Sequence, residues 1–197
     1  MKKLFFLLTV FTVFLSLVFY SCTASTTLTS WTNDSIPPQK FKKVFVMVLI
    51  KDLEYRISLE KKLAEEIKKS GIDAEPSLDK ISPAYRYSRD ELDTLFAKSD
   101  FDAVLTVKYE GAIEEKTKKD GMKLYKYYRK FSRPIRRKGY IESHKLIILE
   151  SVLFSVETES DLWVATTKTL DSSGPKDFIE SVSVEIIKDL KKNNLLK

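Results

Sequence analysis

Residues 43–50, "KVFVMVLI", decide the fold. After Lys43 every residue is apolar, and most are β-branched or aromatic. An unbroken run of this kind, without alternation, marks a strand buried on both faces, and such strands sit inside sheets built with crossover helices. The next residues supply that crossover. Asp52 can cap a helix whose apolar positions Leu53, Ile57, Leu59, Leu63, Ala64 and Ile67 recur at three- and four-residue spacings, and Ser70-Gly71 ends it. "IDAEPS" (72–77) then reads as a second strand, closed by Pro76.

Toward the carboxyl end the same logic continues. A loop through Pro83 leads to Ser88-Arg89-Asp90-Glu91, a capping box, and to a helix carrying Leu92, Leu95 and Phe96 inward. "FDAVLTVKYEGAIEE" (101–115) is a strand that alternates from Thr106 onward, so one of its faces becomes wet. "HKLIILESVLFSVE" (144–157) and "DLWVATTKTL" (161–170) make a hairpin through Thr158-Glu159-Ser160. Gly174-Pro175 opens a last helix with the stripe Phe178, Ile179, Val182, Ile186 and Leu190. The order β-α-β-α-β-β-β-α predicts an α/β (α+β sandwich) fold for residues 43–197. Its mixed sheet has about five strands, the first joined in parallel by crossovers and the later ones added as antiparallel hairpins.

Toward the amino end, residues 22–42 are rich in Thr, Ser and Pro and read as a tether, within which Trp31 can meet lipid headgroups or dock on the domain. Residues 1–21 read as an export signal: Lys2 and Lys3 precede an uncharged run from Leu4 to Tyr20. The run ends on Ser21-Cys22 and resembles the lipobox of bacterial lipoproteins, although Phe19 and Tyr20 depart from its usual residues. The resemblance implies acylation of Cys22, the only cysteine. A thiol buried in an uncleaved apolar anchor is the alternative. With Thr23 and Ala24 after the cysteine and no aspartate, the same resemblance implies the cell envelope, at the outer membrane facing the periplasm. Together with "KVFVMVLI", "SDFDAVLTV" and "ESVLFSVETESDLWVATTKT", the chain is similar to a family of small bacterial lipoproteins of unknown function. That family implies no catalytic residues.

Composition narrows the chemistry. One Cys and one His, His144, among 197 residues exclude a disulfide framework and a Cys-based zinc cluster. Five unclustered glycines offer no phosphate-cradling loop. No cofactor, metal site or catalytic group is expected. Charge is the informative feature. Residues 116–138 hold eleven Lys and Arg against Asp120 alone. With the whole chain at +6 and Lys2 and Lys3 in the export segment, this +10 stretch leaves the rest of the mature chain at −6. Tyr125, Lys126, Tyr127, Tyr128, Arg129, Lys130, Arg133, Arg136, Arg137 and Lys138 form the candidate contact with an anionic lipid or polymer. A solvated hairpin kept soluble by its charges is the plainer use. Export argues against nucleic acid as partner.

The remaining polar groups have structural readings. Asp100 and Asp102 suit a turn, Glu157, Glu159 and Asp161 a solvated hairpin tip, and Arg56 with Glu60 a surface or rim ion pair. His144 reads as a hydrogen-bonded strand residue. The expected function is a lipid-anchored, non-catalytic binding or scaffolding module of the envelope. The alternative is an accessory subunit of a secretion or transport assembly that meets an envelope protein partner.

Overall fold

The computed structural model describes residues 26–37, 39–84, 88, 90–91, 94, 99–119, 140–171 and 174–196. Six strands form one mixed sheet: β1 (Thr26–Thr32), β2 (Lys43–Leu49), β3 (Asp73–Pro76), β4 (Ala103–Lys119), β5 (Tyr140–Ser155) and β6 (Ser160–Leu170). Their spatial order is β1-β6-β5-β4-β2-β3. β2 runs parallel to both β3 and β4, and every other pairing is antiparallel. Two helices, α1 (Leu53–Lys69) and α2 (Pro175–Lys192), pack against the sheet and against each other. The α+β class and the parallel-then-antiparallel layout are as expected, with one strand more than anticipated.

That extra strand corrects the reading of residues 22–42. Thr26–Thr32 lies along β6, with Thr26 opposite Thr169 and Trp31 opposite Val164. Its sequence, "TTLTSWT", is mostly β-branched, so the backbone adopts a pleated conformation readily although little of it is apolar. Leu28 packs against the core, and the Thr26 hydroxyl bonds those of Thr169 (2.9 Å) and Ser181 (2.6 Å). Asn33 then closes the strand with its carboxamide oxygen on the Ser35 N–H, a side-chain turn.

β2 meets the demand of its sequence. Val44, Val46 and Val48 are fully buried on the helix side, and Phe45 is fully buried on the other, where Phe101 lies 4.6 Å from it between ring centroids. Asp52 caps α1 by accepting from the N–H groups of Glu54 and Tyr55. Gly71, at φ +78°, ends it in the left-handed region that glycine tolerates. Leu59, Leu63, Ala64 and Ile67 face the core, whereas Leu53 projects from the first turn and is exposed. The capping box before β4 forms: the Glu91 carboxylate accepts from the Ser88 N–H and hydroxyl, and Ser88 Oγ accepts from the Glu91 N–H. Leu92, Leu95 and Phe96 lie outside the described residues.

On β6, burial does not alternate strictly, because Leu162 and Trp163 are both buried. A register shift opposite Leu153 and Phe154 accounts for this, since a bulge turns two successive side chains inward. Trp163 has no exposed surface, and its indole N–H donates to Asp189 of α2 at 2.8 Å. The packing of α2 on β6 is thereby fixed by a buried ring with its polar handle satisfied.

Candidate functional site

The strands end unevenly, and that unevenness shapes the surface. β4 pairs with β2 only as far as Lys108, and β6 pairs with β5 only back to Leu146. Beyond these points β4 and β5 continue alone as a two-stranded ribbon, to Lys119 opposite Tyr140. At its base the register shifts between Tyr109 and Gly111, leaving Glu110 as an extra residue, with Gly111 at φ +147°. Such a bulge bends and twists the ribbon as it leaves the sheet.

The end of the sheet that emits the ribbon gathers several features. The carboxyl ends of β2, β4 and β6, the first turns of both helices, and Thr26 all lie there, as the parallel and antiparallel registers require. Leu49, Leu53, Tyr109, Ile113 and Ile141 are exposed apolar residues of this region. Three carboxylates stand near Tyr55 at this end. The Tyr55 phenol is pushed up by burial first and then by the charges of Asp171, Asp52 and Glu54. Two ion pairs lie along the ribbon and its base: Lys108–Glu110 at 2.5 Å, which raises the lysine through its hydrogen bond to Glu110, and Lys145–Asp171 at 3.7 Å. Carboxylates and lysines are thus interleaved at the root of a ribbon that leads into the basic sequence 116–138.

All of the sequence-predicted contact residues lie outside the described residues: Tyr125, Lys126, Tyr127, Tyr128, Arg129, Lys130, Arg133, Arg136, Arg137 and Lys138. Cys22 lies outside them as well. What the structure adds is their point of departure, since Lys116–Lys119 belong to β4 and the segment opens from the far end of the ribbon.

The other polar candidates are brought into structural roles. Asp102 accepts from the backbone N–H groups of Lys42 and Lys43 (3.1 Å to the latter), clasping the start of β2 to the start of β4. Asp100 pairs with Lys43 at 2.8 Å, and that hydrogen bond holds its carboxyl below the usual range. Glu157, Glu159 and Asp161 are exposed around the β5–β6 turn, with Glu159 at φ +49°. His144 is half-buried within β5 opposite Glu115. Among the described residues no group of three or more His, Cys, Asp or Glu could hold a metal ion. No described helix is long and apolar enough to cross a membrane.

Arg56 and Glu60 form the ion pair that their spacing suggests, at 3.2 Å, but deeper than a surface or rim position. Glu60 is completely buried, while the Arg56 side chain keeps 18% of its surface exposed. One Glu60 oxygen accepts from the Val48 N–H (2.9 Å), Arg56 Nε (3.2 Å) and the Ser77 hydroxyl (2.7 Å). The other accepts from the Leu78 N–H at 3.0 Å. Pairing of β2 with β3 stops at Val46 opposite Pro76. The Val48 N–H beyond that point takes the carboxylate in place of a strand partner. The knot ties β2, α1 and the 3-10 turn Ser77–Asp79 together, and its lone pairs are committed to these donors. A signal was present, because Glu60 precedes Leu63 and Ile67 by three and seven residues and so shares their buried stripe.

No family model matches the chain, and neither does any curated protein. Among solved structures it is similar to the PelC dodecamer of Paraburkholderia phytofirmans, with 17% identity over 84% of this chain and 96% of that one, at a TM-score of 0.45. A second structure, of a point variant of that dodecamer, gives 15% identity over 84% and 95%, at 0.44. A neuraminyllactose-binding hemagglutinin homolog from Helicobacter pylori gives 12% identity over 80% and 90%, at 0.39. The functional reading therefore rests on this chain's own residues.

Proposed function

We propose that this chain is a lipid-anchored bacterial envelope protein, acylated on Cys22, whose α+β domain is a non-catalytic binding or scaffolding module facing the periplasm from the outer membrane. The observation that carries the reading is the lone cysteine at the close of the uncharged run Leu4–Tyr20. Two or three acyl chains hold a protein on a bilayer stably, where a single chain would not. The basic residues of 116–138 are its contact with anionic headgroups or an acidic envelope polymer, each worth about 1 kcal/mol near such a surface. The test is the intact mass of the protein extracted from membranes, beside Cys22→Ser. A mass lacking residues 1–21 and carrying acyl chains, lost in the variant, is the expected result. A full-length unmodified mass would overturn acylation and make residues 4–20 an uncleaved anchor.

A second reading, an accessory subunit of an envelope assembly, is favoured by one observation. β1 ends the sheet with no charged residue and no proline, and beside it Trp31 is 56% exposed. Such an edge accepts a strand from another protein. Gentle solubilisation should then yield a stoichiometric partner, released by Thr29→Lys, which puts a charge on the edge strand. Recovery of the chain alone would sink this reading.

A further inference from the structure

β1 is the outer strand of the sheet, and the groups on its free side follow from its register. Asn33, just past its end, donates its N–H to the Leu162 carbonyl at 2.9 Å. Bonded pairs in an antiparallel ladder recur at every second residue, so Trp31, Thr29 and Thr27 spend their backbone groups on β6. The N–H and C=O of Thr26, Leu28, Ser30 and Thr32 therefore point away from the sheet. None of the four is proline, and no residue of the strand is charged. Thr26 and Leu28 turn their side chains toward α2 and the core, so Thr27, Thr29 and Trp31 share the opposite face, where all three are exposed.

We propose that this edge takes β1 of a second copy of the chain, antiparallel and centred on Thr29, so that two six-stranded sheets join into one. It gives an occupant to the edge on which the second reading above rests, in place of a strand from a different protein. The strand is complementary to itself. Centring on Thr29 sets Thr26 opposite Thr32 and Leu28 opposite Ser30, so every outward N–H and C=O meets one from the other copy. A centre one residue to either side leaves Thr26 or Thr32 without a partner in the strand. On the exposed face Thr29 meets Thr29 of the copy, and Trp31 meets Thr27. One strand further stands Lys168 of the copy, within a lysine's reach of the indole face.

The helices agree in charge. α2 is tied to Thr26 through Ser181 and to Trp163, opposite Thr32, through Asp189. Glu185 lies midway between those ties, as Thr29 lies midway along β1, so the twofold axis passes near Glu185. Glu185 and Lys188 follow Ser181 by four and seven residues and share its flank. The antiparallel α2 of the copy brings its Lys188 toward this flank. Each Glu185 then stands between its own Lys188, at 3.1 Å, and that of the copy.

The experiment uses the full chain in mild detergent, with Cys22→Ser in every variant so that an introduced thiol is the only one. At the axis, a residue lies about 4.5 Å between Cα atoms from its own counterpart, within disulfide range. Thr29→Cys should therefore oxidise to a covalent dimer at least about tenfold faster than Thr27→Cys, on the same exposed face but ~13 Å from its counterpart. Ser30→Pro removes an N–H that β6 does not use, and should abolish that advantage with the circular dichroism unchanged. Equal rates for the two cysteines, or an advantage that survives Ser30→Pro, overturns the pairing. Capture of a different protein by Thr29→Cys overturns it as well and supports the second reading. The comparison of the two cysteines stands whatever the proline does to β1. Because Cys22 is replaced throughout, loss of acylation and failure of the pairing are distinct results.

Discussion

The two edges of the sheet are closed in opposite ways, and the difference says which one is available to another molecule. β3 is four residues long. In a parallel ladder its outward-pointing positions are Ala74 and Pro76. The Ala74 N–H is taken by the Asp73 carboxylate at 2.9 Å, and Pro76 has none to offer. Behind it the buried Glu60 knot turns the chain away, and Lys43 and Lys80 flank Glu75 at 3.4 and 3.5 Å. Four devices that blunt an edge are present: brevity, proline, charge and a covering turn. β1, at seven residues, has none of them, and every second residue presents its N–H and C=O away from β6. Its attachment includes the ladder to β6, contact with α2, one packed leucine and a pair of hydroxyl bonds. Among the described residues, one edge is blunted against a further strand and the other is left without a pairing neighbour.

The largest expected effect comes from breaking the closed edge. Glu60→Ala strips the acceptor from two backbone N–H groups, the Ser77 hydroxyl and Arg56, and leaves a largely buried guanidinium unpaired. Removing one partner of a buried charged pair costs about 3–5 kcal/mol, and the low end applies because Arg56 keeps some contact with water. Glu60→Gln keeps one accepting oxygen but turns its amide toward a donor, and should cost about half as much. Urea unfolding followed by circular dichroism reads both. A loss below about 1 kcal/mol for Glu60→Ala would mean that the turn after β3 holds without the knot.

An intermediate effect is expected at the open edge. Thr26→Val preserves shape and β-branching but deletes the bonds to Thr169 and Ser181, for a cost of about 1–2 kcal/mol. Because β1 is paired on one side only, amide exchange at Leu28–Thr32 should accelerate more than exchange in β5. If the two strands respond equally, β1 is integral to the cooperative core and the contrast between the edges is one of pairing, not of stability.

These features were unequally legible in the sequence. Patterning found β2, α1, the β4–β6 hairpins and α2, because each carries a long apolar period that a packed layer requires. β1 was missed because Thr and Ser dominate both tethers and edge strands. What separates the two is the run of β-branched residues without Gly or Pro, closed by the Asn33 turn. The residue type of Glu60 points to a surface or rim pair, against its place on the apolar stripe. The short lead from Cys22 to the sheet could not be seen until β1 was. The basic segment was plain in the composition, but its position at the end of a ribbon depends on where β2 and β6 stop, and no single strand's sequence encodes that.

The smallest effect should come from the charges outside the closed edge, and it has a pH signature. Lys43 donates to Asp100 and approaches Glu75, and its ammonium lies 5.0 Å from the centre of the Phe101 ring. The hydrogen bond with Asp100 raises Lys43 above its ordinary 10.5 and lowers Asp100 below its ordinary 3.8. For the lowered carboxyl, the contribution to stability is whole at pH values above its ordinary one and is lost as pH falls through the lower, folded-state value. For the raised ammonium, it is whole below the ordinary lysine value and is lost as pH rises through the raised one. Both contributions are therefore complete between 3.8 and 10.5. Lys43→Gln removes the alkaline limb and the Lys43 share of the acid one, leaving the share due to a backbone hydrogen bond and Lys80, so its thermal midpoint should fall slightly below the wild type at neutral pH and converge on it at both extremes. The gap stays small because Lys80 still flanks Glu75 and because salt screens exposed charges. It should narrow further in 0.5 M salt, an ionic strength at which charges a few ångströms apart in water interact weakly. A gap that persisted at acid pH would show that Lys43 serves this edge by packing its stem on Phe101 rather than by its charge.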